Sequence, residues 1–580
     1  MNDSQRGAEL NPARGIVQRT GRLRRAVLVS VVVAVACVAQ GMPSPAATGT
    51  PSAPSLVVAS QPGPAPEVTV SWDPGAGPAP TGAAVELWSK TASGSWEKQT
   101  STTCYAGCAS VAFRYLRFGT AYSAAVFLIN AGGTGPASAS NVVTLRNTCP
   151  VGLCITADSG KLRAPAVRQA GGLLYSMDGT PADAATLAQL KPGMWRGSNG
   201  DQPGNPWATA TALNIPTTFL LSDVWRAMTN GGQITPWSDW ASYRDWVVWV
   251  ARQTQALGIR VDYWEVYNEP DNMNYNYYPP AQGQTVTADL LLTQFLVTYQ
   301  AIKSVLPNAQ IIGPSTSFWI EDSRPWAFSM PQFLDFAAAN NLSLAALSWH
   351  FNDRVSPQAI EDQVSEARRL IAARPALGNP KIFINEFGIE QTQRIPGWDV
   401  QYLAALTAAR IDSAGRSCWE GDCFTPVFDG LLAPDRSTLP DFWARVAYAE
   451  MTGSMVASAA NSDNVGVLAS MDADRSHVRL LFGYGLGCIQ DPRCASSFPL
   501  ATLGGSLTTQ VTVRVPWRTG HVSVSVMRIP GTSIAAISRP STRALAPVAI
   551  VGTSRGPMVT FNVGPVADGD AWSLTLTPTS

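Results

Sequence analysis

The sequence predicts a multidomain protein in which a parallel barrel of eight β/α units lies between two β-sandwiches. The chain has 580 residues, too many for one core, since a domain usually holds about 100–200 residues. After the N-terminal leader, the first and the last segments of the chain alternate apolar and polar residues with the period of a β-strand. The middle segment instead alternates short apolar runs with helical stretches, which is typical of parallel β/α units.

The first 47 residues have the pattern of an export signal. A basic segment, residues 19–25, precedes an apolar run at 26–39, and small residues and prolines follow. The apolar run is shorter than the roughly 18 residues that a membrane-spanning helix requires. We therefore expect residues 1–47 to be a signal peptide and linker and the protein to be secreted. An uncleaved signal that anchors it in the membrane is the alternative.

Eight of the nine cysteines stand in close couples, and the ninth, Cys37, lies in the signal. The couples are Cys104 with Cys108, Cys149 with Cys154, Cys418 with Cys423, and Cys488 with Cys494. An even number of neighbouring cysteines in an exported chain favours disulfides, so we predict four local ones. Zinc is the rival interpretation, but the spacing is not C-x-x-C and none of the three histidines lies near a couple. No structural metal is expected.

The charge pattern argues against nucleic acid as a partner. Lys plus Arg and Asp plus Glu number 41 each, so the formal net charge is zero. The chain also has no basic stretch long enough to follow a phosphate backbone.

Residues 51–146 predict an all-β sandwich, because segments such as "EVTVSWDP" and "AYSAAVFLIN" alternate with period two. They resemble a fibronectin type III domain through Trp72, through Leu116 six residues before Tyr122, and through the turn "NAGGTGPAS". The resemblance implies that the Tyr122 hydroxyl bonds to upstream backbone as a tyrosine corner.

Residues 155–455 contain eight short apolar runs separated by helical stretches such as 239–258 and 356–375. The runs are "GGLLYSM", "GMWRGS", "PTTFLLSD", "DYWEVYNEP", "AQIIGPSTS", "LAALSWHFN", "KIFINEFG" and "GRSCWEGD". Eight such units predict a (β/α)8 TIM barrel, whose chemistry lies at the C-terminal ends of the strands. Beyond 455 the alternation returns, in "TTQVTVRVPW" for example, so residues 456–580 predict a second β-sandwich packed on the barrel.

Two glutamates end barrel strands, and each follows an asparagine: Glu269 in "YWEVYNEPDN" and Glu386 in "KIFINEFGIE". Cleavage of a glycosidic bond needs one carboxylic acid to protonate the leaving oxygen and one carboxylate to attack the sugar or activate water. A negative Glu386 and partial burial would raise the pKa of Glu269, keeping it protonated while Glu386 stays ionised. The alternative is that both carboxylates cap loops or form salt bridges.

The barrel resembles the retaining glycoside hydrolases of clan A, whose acid/base glutamate follows Asn on strand four and whose nucleophile ends strand seven. It is most similar to family 39, which contains β-xylosidases, α-L-iduronidases and bacterial exopolysaccharide glycosidases. The resemblance implies that Glu269 is the acid/base, that Glu386 is the nucleophile, and that Asn268 bonds the sugar 2-hydroxyl. The motif "INEFG" departs from the Thr-Glu-Trp of family 39 xylosidases, which leaves the sugar open.

Three further residues are candidates for substrate binding. The resemblance suggests that Arg196 keeps the nucleophile ionised and that Trp419 stacks under the sugar, while an ion pair elsewhere is the alternative for Arg196. His350 ends strand six and could bond the nucleophile or a sugar hydroxyl; a structural histidine is the alternative. Strand alternation places Glu265 on one face, inward or outward, with Tyr267 and Glu269. Glu265 is therefore a candidate for a second inward carboxylate or for an ion-pair partner in a barrel layer.

These observations together predict a secreted, retaining glycosidase that cleaves O-glycosidic bonds of an extracellular poly- or oligosaccharide, in association with such a glycan or with the cell envelope. No cofactor is expected. The alternative of another class is a carbohydrate-binding or cell-surface protein on a barrel without activity. A third hypothesis is a hydrolase of another clan A family, such as a cellulase-, mannanase- or arabinofuranosidase-like enzyme with a different glycan.

Overall fold

The computed structural model describes residues 49–579 apart from several short segments. The segments left out are 106–107, 115, 175–183, 199–204, 222–227, 230–231, 234–235, 272–285, 323, 325, 353–355, 390–391, 418–427, 429, 487–504 and 532–534. The predicted signal, Trp419 and the cysteine couples 418/423 and 488/494 therefore lie outside the described residues. Within the described ranges, no helix is long and apolar enough to cross a membrane.

The N-terminal region forms two antiparallel sheets over one apolar core. Its strands are β1 (Leu56–Ser60), β2 (Val68–Asp73), β3 (Gly82–Lys90), β4 (Trp96–Tyr105), β5 (Ser110–Phe113), β6 (Ala121–Asn130), β7 (Gly133–Ala139) and β8 (Val143–Thr144). One sheet has the order β1-β2-β5 and the other β4-β3-β6-β7, with β8 beside β6. Alternate residues of both sheets, including Trp72 and Val126, share the core. The Tyr122 hydroxyl accepts a hydrogen bond of 2.9 Å from the Arg117 backbone N–H, while the fibronectin type III assignment itself stays a prediction.

Eight parallel strands close into a barrel in sequence order. They are β10 (Gly172–Leu173), β11 (Trp195–Ser198), β12 (Thr217–Leu220), β15 (Tyr263–Glu265), β16 (Ile311–Thr316), β17 (Ala346–Phe351), β18 (Lys381–Phe387) and β19 (Ser413–Arg416). Seven of them lie within runs that the sequence predicts, and β19 begins two residues before the eighth run, "GRSCWEGD". The eight-stranded barrel is therefore confirmed. A small hairpin, β13 (Met228–Thr229) with β14 (Gly232–Gln233), follows β12.

Eight α-helices accompany the barrel strands in the described part of the chain. They are α1 (Ala184–Leu190), α2 (Asn205–Ala212), α3 (Trp240–Ala256), α4 (Ala288–Val305), α5 (Met330–Ala339), α6 (Ala359–Ala372), α7 (Pro396–Ala408) and α8 (Pro440–Ala449). Side chains cap several N-termini: Asp239 accepts from two backbone N–H groups of α3, and Thr287 from one of α4. These caps satisfy donors that the first helical turn leaves unpaired.

The barrel interior is layered from apolar to polar. Met194, Ile312, Ala346 and Phe383 form an apolar cluster at the N-terminal end of the strands. Two residues further along the same strands, the inward positions carry polar side chains such as Arg196, Ser348 and Asn385, all fully buried. The apolar cluster therefore lies below the polar layer, on the side of the N-terminal strand ends.

The C-terminal region forms an eleven-stranded sheet that includes a strand from before the barrel. That strand is β9 (Leu153–Pro165); the others are β20 (Ser454–Ala460), β21 (Val465–Met471), β22 (Val478–Tyr484), β23 (Ser506–Arg514), β24 (His521–Ile529), β25 (Thr542–Ala544), β26 (Val548–Ala549), β27 (Val551–Thr553), β28 (Gly556–Ala567) and β29 (Ala571–Thr579). Strand β9 pairs with β20 on one side and with β23 on the other. Residues from both halves of the sheet, such as Val513 and Val524, share one core, so the sheet bends over itself.

The domain boundary predicted at 155 differs from this arrangement, whereas the one at 455 lies next to the start of β20 at Ser454. The barrel begins at Gly172, and the predicted barrel segment starts inside β9. The alternating burial of Leu153, Ile155 and Ala157 marks β9 as a strand. A period-two pattern does not reveal which sheet a strand joins, and here its partners lie beyond the barrel. The disulfide between Cys149 and Cys154 joins the segment before β9 to the start of that strand, and the one between Cys104 and Cys108 joins the end of β4 to the segment before β5. Both predicted pairs are confirmed.

The C-terminal sheet packs on the barrel through α7, the helix that follows β18. Ten of the 13 residues of α7 are buried, so the helix is covered on most sides. Glycines of the sheet make this close approach feasible: a Cβ on Gly466 would lie 2.5 Å from the Gln401 Cα, and one on Gly483 2.5 Å from the Gly397 carbonyl oxygen. The backbones of the sheet and the helix are therefore in close contact at these glycines, which have no side chain.

We expect Gly466→Ala to lower the free energy of unfolding by about 1–3 kcal/mol, because the new methyl group must push β21 away from α7. Gly552→Ala is the matched control, since a Cβ there meets nothing within 4 Å, and we expect a change of about 0.5 kcal/mol or less. Urea unfolding followed by tryptophan fluorescence measures both. Equal midpoints for the two variants would contradict the tight contact between sheet and helix.

Candidate active site

Glu269 is held at the barrel mouth by an unusual backbone conformation. Strand β15 ends at Glu265, and four residues later Glu269 has a φ of +53°, in the left-handed region that non-glycine residues seldom adopt. Its N–H donates 2.9 Å to the carbonyl of Ser315, which itself has a φ of +52°. Strained residues of this kind cost about 1–3 kcal/mol each and concentrate at functional sites.

The loop after Glu269 is tied to the loop after β16 by a second contact. The buried Asp271 carboxylate accepts hydrogen bonds from the Ser317 backbone N–H at 2.7 Å and from its hydroxyl at 2.6 Å. Burial raises the pKa of Asp271, although the bonds from Ser317 oppose that shift. Glu269 is therefore held by its own backbone hydrogen bond to Ser315 and by the contact between Asp271 and Ser317.

The expectation that Glu265, Tyr267 and Glu269 share one face is wrong. Glu265 points into the barrel, whereas Tyr267 packs against Phe295 of α4 with ring centroids 5.7 Å apart and donates to the Leu291 carbonyl. The alternation applies only to regular strand, and β15 ends at Glu265.

Glu386 lies beside Glu269, and His350 lies between them. Glu386 belongs to β18 and is paired in register with His350 of β17. His350 Nδ1 is 3.0 Å from Oε1 of Glu269 and 3.6 Å from Oε2 of Glu386. One oxygen of each glutamate and this nitrogen all lie within 4.8 Å of one another. The two carboxylates predicted from the sequence therefore meet at one site, with the predicted His350 in contact with both.

Arg196 of β11 is the buried cation under this pair. Its side chain donates to both oxygens of Glu265, from Nε at 2.7 Å and from Nη2 at 2.8 Å, in the bidentate geometry typical of arginine. It also donates from Nη2 to Asn268 Oδ1 at 2.8 Å and from Nη1 to Glu386 Oε2 at 3.1 Å. The contact with Glu386 is the one that the sequence analysis suggests for Arg196.

The polar layer contains residues that sequence reasoning missed. Asn385 Nδ2 donates to Glu265 Oε1 and, at 2.9 Å, to the Ser315 hydroxyl. Asn352, two residues after His350, donates from Nδ2 to Glu269 Oε1 at 3.2 Å. Asn385 directly precedes Glu386, just as Asn268 directly precedes Glu269. This repeated Asn-Glu pair is the sequence signal that could have indicated Asn385. No sequence signal marks Asn352.

Burial and mutual charge shift the protonation of the site. Burial raises the pKa of Glu386, and Glu269 and Glu265 add to this, while His350 and Arg196 act in the opposite direction. For His350, burial lowers the pKa, but the carboxylates of Glu386 and Glu269 outweigh it, so the pKa is raised above 6.5. The balance favours an imidazolium between two carboxyl groups, one of which can hold a proton.

The same three side chains could in principle be ligands of one cation, since their atoms lie within 4.8 Å. The guanidinium of Arg196, 3.1 Å from Glu386, already supplies positive charge there and would repel a metal ion. The arrangement therefore suits proton transfer and nucleophilic attack by carboxylates better than metal chemistry.

Comparison with known proteins shows similarity of fold. No protein-family model matches the chain, and no curated protein sequence matches it. A protein from Neocallimastix frontalis superimposes with a TM-score of 0.58 at 20% identity, over 74% of this chain and 100% of that one. A glucosidase from Croceicoccus marinus gives 0.55 at 15%, over 75% and 100%, and a Paenibacillus polymyxa xyloglucanase of glycoside hydrolase family 44 gives 0.50 at 11%, over 74% and 99%. At these identities the likeness shows a shared barrel architecture.

We expect the imidazole of His350 to titrate above pH 6.5, because two carboxylates face its Nδ1. The ion pairs of the charged ring then stabilise the fold fully below the unfolded-state pKa, and this contribution is lost as pH rises through the folded-state pKa. In Glu386→Gln the pKa of His350 should fall, since that carboxylate raises it most. NMR titration of the ring signals measures both, and a pKa of His350 below 6.5 in the unaltered protein would refute this.

We expect Glu265→Gln to destabilise the protein by about 3–5 kcal/mol, because it leaves the Arg196 guanidinium buried with too little negative charge. Glu86→Gln is the matched control, since Glu86 forms an exposed pair of 2.6 Å with Lys98, and it should cost about 1 kcal/mol or less. Calorimetric unfolding compares the two. A similar small loss in both would mean that Arg196 does not depend on Glu265.

Proposed function

We propose that the protein is a retaining glycoside hydrolase that uses Glu269 as acid/base and Glu386 as nucleophile. The observation that carries this proposal is the pair of buried carboxylates at the barrel mouth, with oxygens within 4.8 Å and His350 between them. Retaining glycosidases hold their carboxyl groups about 5–5.5 Å apart, whereas inverting enzymes need about 6.5–9.5 Å to admit a water. The short separation supports retention.

The roles follow from the partners of each carboxylate. Burial raises the pKa of Glu386, against the expectation that this carboxylate stays ionised, while the Arg196 guanidinium that donates to it opposes this shift. That hydrogen bond to the charged form suits a nucleophile. In the first step Glu386 attacks the anomeric carbon, the glycosidic C–O bond breaks, and Glu269 gives its proton to the leaving oxygen. In the second step Glu269 takes a proton from water, the water oxygen attacks the anomeric carbon, and Glu386 leaves. Two inversions at the same carbon give net retention.

Asn268 is proposed to bind the substrate beside Glu386. Its Oδ1 accepts from Arg196, which orients the amide so that the Nδ2 hydrogens are the donors for a sugar hydroxyl. Hydrogen bonds to the 2-hydroxyl strengthen in the transition state and supply several kcal/mol. Trp419 remains the proposed stacking residue on the ground of the sequence alone.

The substrate class is proposed from the fold and the sequence motifs together. Two of the similar structures are described as a glucosidase and a xyloglucanase, and the motif "YWEVYNEPDN" resembles family 39. We propose an O-linked poly- or oligosaccharide as the substrate. Export is proposed from the N-terminal signal pattern, and the two local disulfides are consistent with an oxidising compartment. The N-terminal sandwich is proposed as a fibronectin type III module.

We expect the mature protein to hydrolyse at least one member of a panel of aryl glycosides and extracellular polysaccharides, with NMR showing the product anomer of the substrate's configuration. Glu386→Gln should lower the rate by about 10⁴-fold or more, and Glu269→Gln by about 10²–10⁴-fold on substrates with poor leaving groups. Glu97→Gln, an exposed change in β4, is the control with an unchanged rate.

Two outcomes would contradict the proposal. Release of the inverted anomer would exclude the double displacement. Tight binding of a polysaccharide without cleavage of any panel member would instead favour a carbohydrate-binding barrel, the alternative function, and the Glu→Gln variants would then bind as well as the unaltered protein.

A further inference from the structure

We propose that Asn352 is a positioning residue for Glu269 that assigns the transferable proton to Oε2 of that carboxyl group. The inference rests on the proposed function, because it concerns the acid/base of the same reaction. Asn352 lies just past the end of β17, and it orients Glu269 through a hydrogen bond instead of reacting itself.

The geometry distinguishes the two oxygens of Glu269. Oε1 is 3.2 Å from Nδ2 of Asn352 and 3.0 Å from Nδ1 of His350. The amide nitrogen has only hydrogens to offer, so Oε1 is an acceptor in that contact. A lone pair on His350 Nδ1 would face Glu269 and Glu386 at once, so an N–H is favoured there as well.

Two donors therefore occupy the two acceptor positions of Oε1. A proton held by Glu269 then sits on Oε2, and that oxygen is the one that delivers it to the leaving group. Without Asn352 the carboxyl group could rotate and exchange the roles of its oxygens. General acid catalysis needs the proton within hydrogen-bond reach of the leaving oxygen, so a fixed orientation raises the rate.

A second feature of Asn352 points towards a bound ligand. Its Oδ1 is buried and has no hydrogen-bond partner in the described structure. A buried acceptor without a partner costs free energy that a hydroxyl donor would recover. Because Asn352 touches the acid/base, the hydroxyl that fits there belongs to the leaving-group side of the scissile bond. A sugar leaving group has such a hydroxyl and a simple phenol lacks it.

The pH behaviour of Glu269 depends on every charged group that faces it. His350 approaches from β17 and Glu386 from β18, and Asp271 lies two residues further along its own loop. Arg196 from β11 acts on Glu386. Asn352 is the neutral donor of this set, so its replacement changes the hydrogen bonding of Glu269 while leaving the number of charges the same.

Asn352→Leu, which is similar in size and has no polar atoms, tests the inference on the full-length mature protein. Loss of a donor to the ionised carboxylate raises the pKa of Glu269, so the alkaline limb of the kcat/KM profile should move up by about one pH unit. Hydrolysis of a disaccharide should fall about 10-fold or more. For the 2,4-dinitrophenyl glycoside of the same sugar, whose leaving group needs no proton, kcat/KM should fall about threefold or less.

Two further variants keep the test decisive. Asn352→Asp keeps the shape and the acceptor while it removes the donor and adds a charge, so it should shift the alkaline limb further in the same direction. Asn340→Ala, an exposed change at the end of α5, is the matched control and should leave both substrates and the profile unchanged. Thermal midpoints verify that each variant is folded.

The results separate the inference from the proposed function. Equal losses on both substrates, with the alkaline limb unmoved, would show a merely structural role for Asn352 and overturn the inference. If the unaltered protein hydrolyses neither substrate while it remains folded, the proposed function fails instead, and the inference falls with it.

Discussion

The site depends on one constraint, which is that the guanidinium of Arg196 has no access to water. A charge inside a protein is tolerated only when it is paired and its donors are satisfied. Glu265 supplies the opposing charge from β15, Asn268 accepts from the following loop, and Glu386 accepts from β18. Three separate parts of the barrel are thereby joined at one group. The nucleophile candidate is one of the partners that Arg196 requires, so its placement follows from the stability of the fold.

The contrast between the two carboxylates follows from that centre. Glu386 lies within β18, at a point where the register with both neighbouring strands shifts, and it touches the cation directly. Glu269 lies beyond a strand end, in a left-handed conformation stabilised by Ser315. His350 links the two groups, and an apolar layer below them excludes water from the N-terminal side. Such an environment strengthens electrostatic interactions and lets two chemically identical side chains take different protonation states.

The residues of this site that lie at strand ends could be predicted from the sequence. Each barrel strand is an apolar run that closes on polar residues, so Glu269, Glu386, Arg196 and His350 could be found from the pattern alone. The pairing of Arg196 with Glu265 could not, because it depends on where β15 stops, and the alternation rule assumed a longer strand. Asn352 was missed since its contact with Glu269 joins residues 83 positions apart. Trp419 and two cysteine couples lie outside the described residues, so those expectations stay predictions.

Strand β9 has a consequence for how the chain folds during synthesis. It ends at Pro165, while its neighbours β20 and β23 begin at Ser454 and Ser506, so the whole barrel is an insertion between paired strands of one sheet. During translation roughly 290 further residues are synthesised after β9 before its first partner strand begins, and pairings of such long sequence separation form slowly. The exposed edges of β9 are then a point of aggregation that a chaperone would have to protect.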